Sequence, residues 1–145
     1  MKALIDTNVL LDVIARRAPF FNDSAMVWTM AEQGRIHGLV SAISLTNIYY
    51  IGRKLNGRDA AIKALTLIRD SFAIVECDAQ ILGQAIDAVM RGESKDVEDA
   101  VQFFSAARAG AQCLVTRNPG DFAQNFCPVV SPTEFLARFA PPVAG

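Results

Sequence analysis

The sequence predicts an α/β domain: a parallel sheet of short strands with helices covering both faces. Three observations carry that prediction. Short apolar runs alternate with longer stretches of helical spacing along the whole chain. The runs are continuous, as in Ala3-Leu4-Ile5 and Cys113-Leu114-Val115, rather than alternating with polar residues. Strands buried on both faces read this way, and strand–helix alternation favours parallel pairing. The third observation is size. A chain of 145 residues makes one domain that can bury a core of its own. The expected domain spans residues 1–140, and a Pro-rich tail, 141–145, lies outside it.

Each element has its own signal. Residues 3–5 read as a buried strand ending on Asp6. Thr7 or Asn8 can cap the following helix, which shows Val9, Leu10, Val13 and Ile14 at helical spacing and closes at Pro19. A second helix is expected from Asp23 or Ser24 to Gln33, with Gly34 as a left-handed stop. Residues 36–40 make a strand. Residues 44–53 read as a helix with Leu45, Ile48, Tyr49 and Ile51 or Gly52 inward, ending near an Asn56-Gly57 turn. The helix over 58–70 places Ile62, Leu65 and Ile68 in register, and residues 72–75 form the next strand.

The second half continues the alternation. Asp78 caps a helix that ends near Arg91-Gly92. The next helix runs over 95–109 and stops at Gly110. A strand over 113–115 ends on Thr116, a single turn is expected at 121–124, and the last strand is Val129-Val130. Ser131-Pro132-Thr133-Glu134 then has the form of a capping box with proline at the first helical position, opening a final helix through Leu136 and Phe139.

Composition excludes several classes. With 52% hydrophobic and 20% charged residues the chain is no disordered segment. No apolar run reaches the roughly 18 residues of a membrane-spanning helix, and the start lacks a signal-peptide layout, so a cytoplasmic protein with no membrane partner is expected. Three cysteines without a Cys-x-x-Cys pair argue against a disulfide framework or structural zinc, and Cys77 and Cys113 read as core. The single histidine, His37, rules out multi-histidine metal sites and reads as a surface residue flanking a strand. Net charge is only −1, yet residues 1–70 carry nine basic and six acidic side chains while 71–145 carry five and nine. That asymmetry allows one basic wall and one acidic pocket.

In a parallel sheet, ligands bind at the carboxyl ends of the strands. Asp6 ends the first strand; Thr116 and Asn118, with Asp121 shortly after, follow another. Asp96 and Asp99 lie three apart in the first turn of the helix over 95–109 and project to one side of it. Acids there have a plain explanation in capping and the helix dipole. If Asp6, Asp96 and Asp99 converge, however, two carboxylates ~4 Å apart repel by roughly 4 kcal/mol at an effective dielectric of 20. A proton or a cation must then join them. Oxygen donors suit magnesium or manganese, and such a centre suits phosphodiester hydrolysis. There is no Gly-x-Gly-x-x-Gly, no Walker-type loop, and no second aspartate two residues after Asp6 as in haloacid dehalogenase phosphatases.

Other polar residues have plainer readings. Asn118 before Pro119 is a common turn placement. Asp12, one turn before Arg16, reads as half of a surface pair. Arg53, Lys54, Arg58 and Lys63 make either a basic face for RNA phosphates or a solvated helix face. Trp28, Met26 and Met30 read as core or dimer contacts, with core favoured.

In combination these segments resemble the PIN domain family. Leu4-Ile5-Asp6-Thr7-Asn8-Val9-Leu10 resembles its opening motif. Asp99-Ala100, and Leu114-Val115-Thr116-Arg117-Asn118 followed by Asp121-Phe122, resemble its later blocks. The run Ser41-Ala42-Ile43-Ser44-Leu45-Thr46-Asn47-Ile48-Tyr49-Tyr50 resembles a bacterial, VapC-like subgroup. The resemblance covers nearly the whole chain, with the blocks in the family's order. It implies a Rossmann-like three-layer α/β/α sandwich and a Mg2+- or Mn2+-dependent ribonuclease. Many small bacterial members are toxins that cut RNA, often form homodimers, and are held inactive by a small antitoxin protein.

Carried onto this chain, the resemblance makes Asp6 the first metal-binding acid and Asp99 the acid of the later helix. Asp96 is the third expected metal ligand, as a helper. Thr116 matches the hydroxyl residue at the strand end. The family commonly has glutamate where this chain has Asn47 and aspartate where it has Asn118. Both amides can orient water or offer a carbonyl oxygen, but neither adds charge. Asp121 compensates if the Pro119-Gly120 turn brings it inward. The alternative reading is an RNA-binding or protein-interaction module of the same fold without turnover. A weaker one is a small-molecule phosphatase.

Overall fold

The computed structural model describes residues 1–122 and 127–139. The expected tail 141–145, and the part of the 121–124 turn beyond Phe122, lie outside the described residues.

Five strands form one sheet, β1 Lys2–Ile5, β2 His37–Ser41, β3 Ala73–Val75, β4 Cys113–Val115 and β5 Val129–Val130, in the order β3-β2-β1-β4-β5. All four pairings are parallel. In register, Leu4 sits between Leu39 of β2 and Leu114 of β4. The chain steps outward from β1 to β2 to β3, then returns to the other side of β1 for β4. The sheet therefore reverses its winding beside β1, where such folds open a crevice at the strands' carboxyl ends. Asp6 and Thr116, the residues just after β1 and β4, flank that point.

Strand side chains alternate between two cores, as the pleat requires. Ala3, Ile5, Val40, Val115 and Val130 pack with Val9, Leu10, Val27, Trp28, Ile48, Ile68 and Phe135. These come from α1 Thr7–Ile14, α2 Phe21–Glu32, α3 Ala42–Asn56, α4 Arg58–Ser71 and α7 Pro132–Phe139. Leu4, Leu39 and Leu114 face the other way, onto Ala106 of α6 Val97–Ala109. Outside that layer, α5 Ala79–Met90 seals against α6 through Ile81, Ala85, Ala88, Ala100 and Val101. The result is the expected three-layer α/β/α sandwich. Gly38 in β2 is fixed by this packing: a Cβ there would lie 2.6 Å from the Phe72 ring and 2.9 Å from Ala31 Cβ.

Several expectations at helix ends need correction. Asp6, not Thr7 or Asn8, caps α1: its Oδ1 accepts from the Thr7 N–H at 2.8 Å. The helix ends at Ile14, well before Pro19, because Arg16 turns left-handed with φ 50°. α2 begins at Phe21 rather than Asp23, with no side-chain cap. α3 starts at Ala42 rather than Ser44, since Ser41 Oγ accepts from the Ile43 N–H, and it runs on to Asn56. In α4, Ala61, Ala64 and Ile68 face inward, while Ile62 is exposed. A 3-10 turn at Pro119–Asp121, nucleated by its proline, follows β4. Asp78 caps α5 and Ser131 Oγ accepts from the Glu134 N–H, as expected.

Two interior readings also change. Trp28 and Met30 are core, Trp28 meeting Phe72 edge-on at 5.4 Å, whereas Met26 is exposed. Asp12 makes no surface pair with Arg16. It is fully buried, near Arg117 and Arg17. The left-handed turn at Arg16 carries its guanidinium instead toward the Phe21 ring, 6.0 Å away.

Candidate active site

Three elements deliver acids to the crevice. Asp6 arrives because β1 ends and α1 begins there. Its Oδ2 accepts from the Thr116 hydroxyl at 2.8 Å, so the first residues after β1 and β4 are joined directly. Both are buried. Asp99 stands in the first turn of α6, which Asp96 caps by accepting from the Asp99 N–H at 2.8 Å. Glu98, beside it, reaches toward α1 and α3. Its Oε1 accepts from the Thr7 hydroxyl at 2.8 Å and its Oε2 from the Asn47 amide at 2.8 Å.

A polar chain stands behind these acids. Gln102 Nε2 donates to Ser44 Oγ at 2.8 Å, and the Ser44 and Thr7 hydroxyls are 2.7 Å apart. Thr7 has one proton and the Glu98 carboxylate can only accept, so Thr7 donates to Glu98 and accepts from Ser44. Glu98 is thus oriented by a network running through three helices. Asp6, Thr7, Asn8, Asn47, Glu98 and Asp99 line one open cleft.

Electrostatics marks the cleft as short of positive charge. Burial pushes the Asp6 carboxyl up to about 6 despite hydrogen bonds from Thr116 and Thr7, and the charges of Glu98 and Asp96 push the same way. Burial, followed by the charges of Asp96, Asp6 and Asp121, pushes Asp99 up to about 7. Both carboxyls stand above the ordinary aspartate range because their ionised forms are desolvated and face neighbouring negative charge.

The expected residues separate into two groups. Asp6, Asp99, Asn47 and Thr116 meet at the cleft or directly behind it. Asp96 lies at the rim, spending Oδ1 on its cap. Asn118 contributes its backbone N–H to Thr116 Oγ1 at 3.2 Å. Asp121 is close enough to Asp99 to raise its pKa, yet pairs with Lys95 at 3.4 Å, both partners being well exposed. Such a pair is worth little and can be exchanged. The residue that sequence reasoning missed is Glu98. Its signal was the Glu98/Gln102 pair, four apart and so on one side of a helix rich in apolar residues.

Magnesium or manganese would find hard oxygen donors on Asp6, Glu98 and Asp99, and amide oxygens within reach on Asn8 and Asn47. Among the described residues, no three acidic side chains already close on one point. The fit is therefore one of donor chemistry and unbalanced charge.

The sequence profile of the PIN domain family matches residues 2–119 of this chain. The chain belongs to the PIN domain family. Ribonuclease VapC1 from Aquifex aeolicus is 25% identical to this PIN domain over 142 residues, 95% of each chain. Solved structures share its fold. A chain of DNA-bound VapBC from Salmonella typhimurium superposes with a TM-score of 0.69 at 17% identity, covering 91% of this chain and 98% of that one. Mycobacterium tuberculosis VapC20, a sarcin–ricin loop cleaving toxin, superposes at 0.65 with 15% identity, covering 77% and 86%. Among the described residues no helix of this PIN domain is long and apolar enough to cross a membrane.

Proposed function

We propose that this PIN domain is a divalent-metal-dependent ribonuclease and the toxin of a toxin–antitoxin pair. One observation carries the reading: Asp6, Glu98 and Asp99 share a cleft at the strand ends, where burial and neighbouring negative charge raise the pKa of both aspartates. The Aquifex ribonuclease, similar over almost its full length, supports the reaction class. Neighbours solved in VapBC and toxin–antitoxin complexes support an antitoxin protein as partner, and a cytoplasmic place for the pair belongs to the same reading.

In this reading Asp6, Glu98 and Asp99 hold Mg2+ or Mn2+, with Asp96 at the rim able to swing inward. When bound, the ion supplies positive charge to the phosphodiester and lowers the pKa of water at the site. The chain's own residues do the rest. Thr116 fixes the Asp6 carboxylate, and Thr7 with Asn47 fixes Glu98. Asn118 and Asp121 stand on the loop beside Thr116, where they can orient water. Asp99, whose carboxyl burial and its acidic neighbours push up to about 7, would give up its proton on binding the ion and hold the ion as a carboxylate beside Asp6. Basic side chains on α3 and α4, among them Arg53, Lys54 and Lys63, are exposed and available to RNA phosphates. A homodimer belongs to the same reading, and α5 exposes an apolar row, Leu82, Ile86 and Met90, that a second copy could cover.

The reading of a module without turnover rested on amides at 47 and 118. Glu98, delivered to Asn47 from α6, restores a carboxylate where that reading required none. The deciding experiment is cleavage of an end-labelled structured RNA pool by wild type, Asp6→Ala and Asp99→Ala, with Mn2+, with Mg2+ and with chelator. Metal-dependent cutting lost in both variants is expected. RNA retained but uncut by wild type would restore the binding module, and turnover of a generic phosphate monoester without action on RNA would restore the phosphatase.

A further inference from the structure

Behind the cleft lies a buried charge that this chemistry does not use. Asp12, on α1 two turns beyond Asp6, has no exposed surface. Its Oδ1 is 3.4 Å from Arg117 Nη1 and 3.9 Å from Arg17 Nη1. Neither contact has hydrogen-bond geometry, and both carboxylate oxygens are without a hydrogen-bond partner. Burial raises the Asp12 pKa while Arg117 and then Arg17 lower it. Replacing a buried ion pair by uncharged groups is often neutral or stabilising, so this one is weak evidence of a stability role.

Its position offers another role. Arg117 stands between Thr116 and Asn118, and three contacts from two successive residues of that loop tie it to α1 and its cap. Thr116 donates to Asp6. The Arg117 N–H donates to Asn8 Oδ1 at 3.4 Å. The Arg117 guanidinium reaches Asp12, with its other face 4.4 Å from the Phe20 ring centroid. Arg117 also borders a cavity of about 320 Å3, beside Phe20, Ser24 and Thr133, so packing alone leaves it room to leave this position. Asp12 and the Phe20 ring are the groups that meet the guanidinium there.

We propose that Asp12 is a positioning residue. Through Arg117 it fixes the loop 116–118, and with it the Thr116 hydroxyl that orients Asp6. The inference rests on the nuclease reading for its kinetic consequence and on geometry for its structural one.

Asp12→Asn is the test. The substitution keeps shape and removes a poorly satisfied charge, and Arg117, about a quarter exposed, is left able to reach solvent. The expected result is an unchanged or higher Tm, RNA-cleavage kcat at least fivefold lower at unchanged KM, and faster hydrogen–deuterium exchange confined to residues 113–119. Wild-type kcat and exchange in the variant, or activity lost only in step with unfolded protein, overturns the proposal. Should Asp12→Asn not fold, Arg117→Gln gives the same reading, with lower kcat at retained Tm in support and unchanged kcat against. The exchange measurement needs no RNA. If wild type cleaves nothing, the nuclease reading fails, while exchange still judges the anchor.

Discussion

The Asn47 side-chain amide donates to Glu98 Oε2 at 2.8 Å, bridging α3 and α6 across the mouth of the cleft. An amide on α3 thereby presents a carboxylate from α6. Glu98→Gln keeps the size and removes the charge, so Mn2+ affinity and RNA cleavage should both fall, by about tenfold or more. Asn47→Asp places two carboxylates across a hydrogen-bond distance, where like charges cost several kcal/mol in a partly buried setting. Metal-free protein should therefore lose stability, while Mn2+, which relieves the repulsion, should bind more tightly. Asn47→Ala should be milder, since Thr7 still holds Glu98. Calorimetric Mn2+ titration of the three variants, beside cleavage rates, checks the order. An Asn47→Asp protein that binds Mn2+ no more tightly than wild type would contradict it.

The raised pKa values of Asp6 and Asp99 make metal-free stability depend on pH in a definite direction. Both folded-state values, about 6 and about 7, lie above the ordinary 3.8. Between roughly pH 4 and 7 the folded state therefore binds more protons than the unfolded one, and stability falls as pH rises. These two groups should make metal-free protein more stable at pH 5 than at pH 8. A divalent ion replaces the protons, so added Mn2+ should raise Tm more at pH 8 than at pH 5. Thermal unfolding at both pH values, with chelator and with Mn2+, tests both halves. Stabilisation by Mn2+ that is equal at the two values would remove the charge-imbalance argument.

How legible this was from sequence differs between fold and site. Strand order of appearance, the parallel sheet and most helices followed from continuous apolar runs and helical spacing, because burial on both faces leaves that mark directly. Asp6 was legible as an acid but not as the cap of α1, since one side chain does both. Glu98 was not legible. An acid in a first turn has a sufficient explanation in the helix dipole, and its partners Thr7 and Asn47 lie 91 and 51 residues away. Asp12 misled for a related reason. Helical spacing pairs it with Arg16, but the helix has ended there, and the contact that matters comes from Arg117, in the loop after β4.

Arg16 itself gives a stability prediction. It is the left-handed residue that closes α1, with the Arg17 N–H donating to Asp12 O at 3.0 Å and the Arg16 N–H to Val13 O at 3.3 Å, the pattern of a Schellman motif. Glycine usually occupies that position, and a residue with a Cβ pays roughly 1–2 kcal/mol for it. Arg16→Gly recovers that strain and gives back roughly 0.5–1 kcal/mol in unfolded-state entropy. A net gain of about 0.5–1 kcal/mol should appear as a Tm rise of about 2–3 °C. The guanidinium, 6.0 Å from the Phe21 ring centroid, stands at the outer reach of a cation–π contact and offsets only part of it. A lower Tm in this variant would mean that the turn is held by the arginine side chain rather than by the backbone.

Thr116 connects fold to chemistry most directly, since its hydroxyl donates to Asp6 and accepts from the Asn118 N–H. Thr116→Val preserves shape and branching, so the packing of β4 should survive. It strips a buried carboxylate oxygen of its donor and a backbone N–H of its acceptor, at a cost of about 1–3 kcal/mol for each group left unsatisfied. The Asp6 hydrogen bond from Thr116 lowers that carboxyl's pKa, so its loss should move the pKa further above 6. The acid limb of the pH–rate profile should shift to higher pH, with metal half-saturation shifting with it. Thr116→Ser restores the hydroxyl without the methyl and should return the profile toward wild type. If Ser and Val variants share one profile, the hydroxyl does not set the state of Asp6, and the join between β1 and β4 is packing alone.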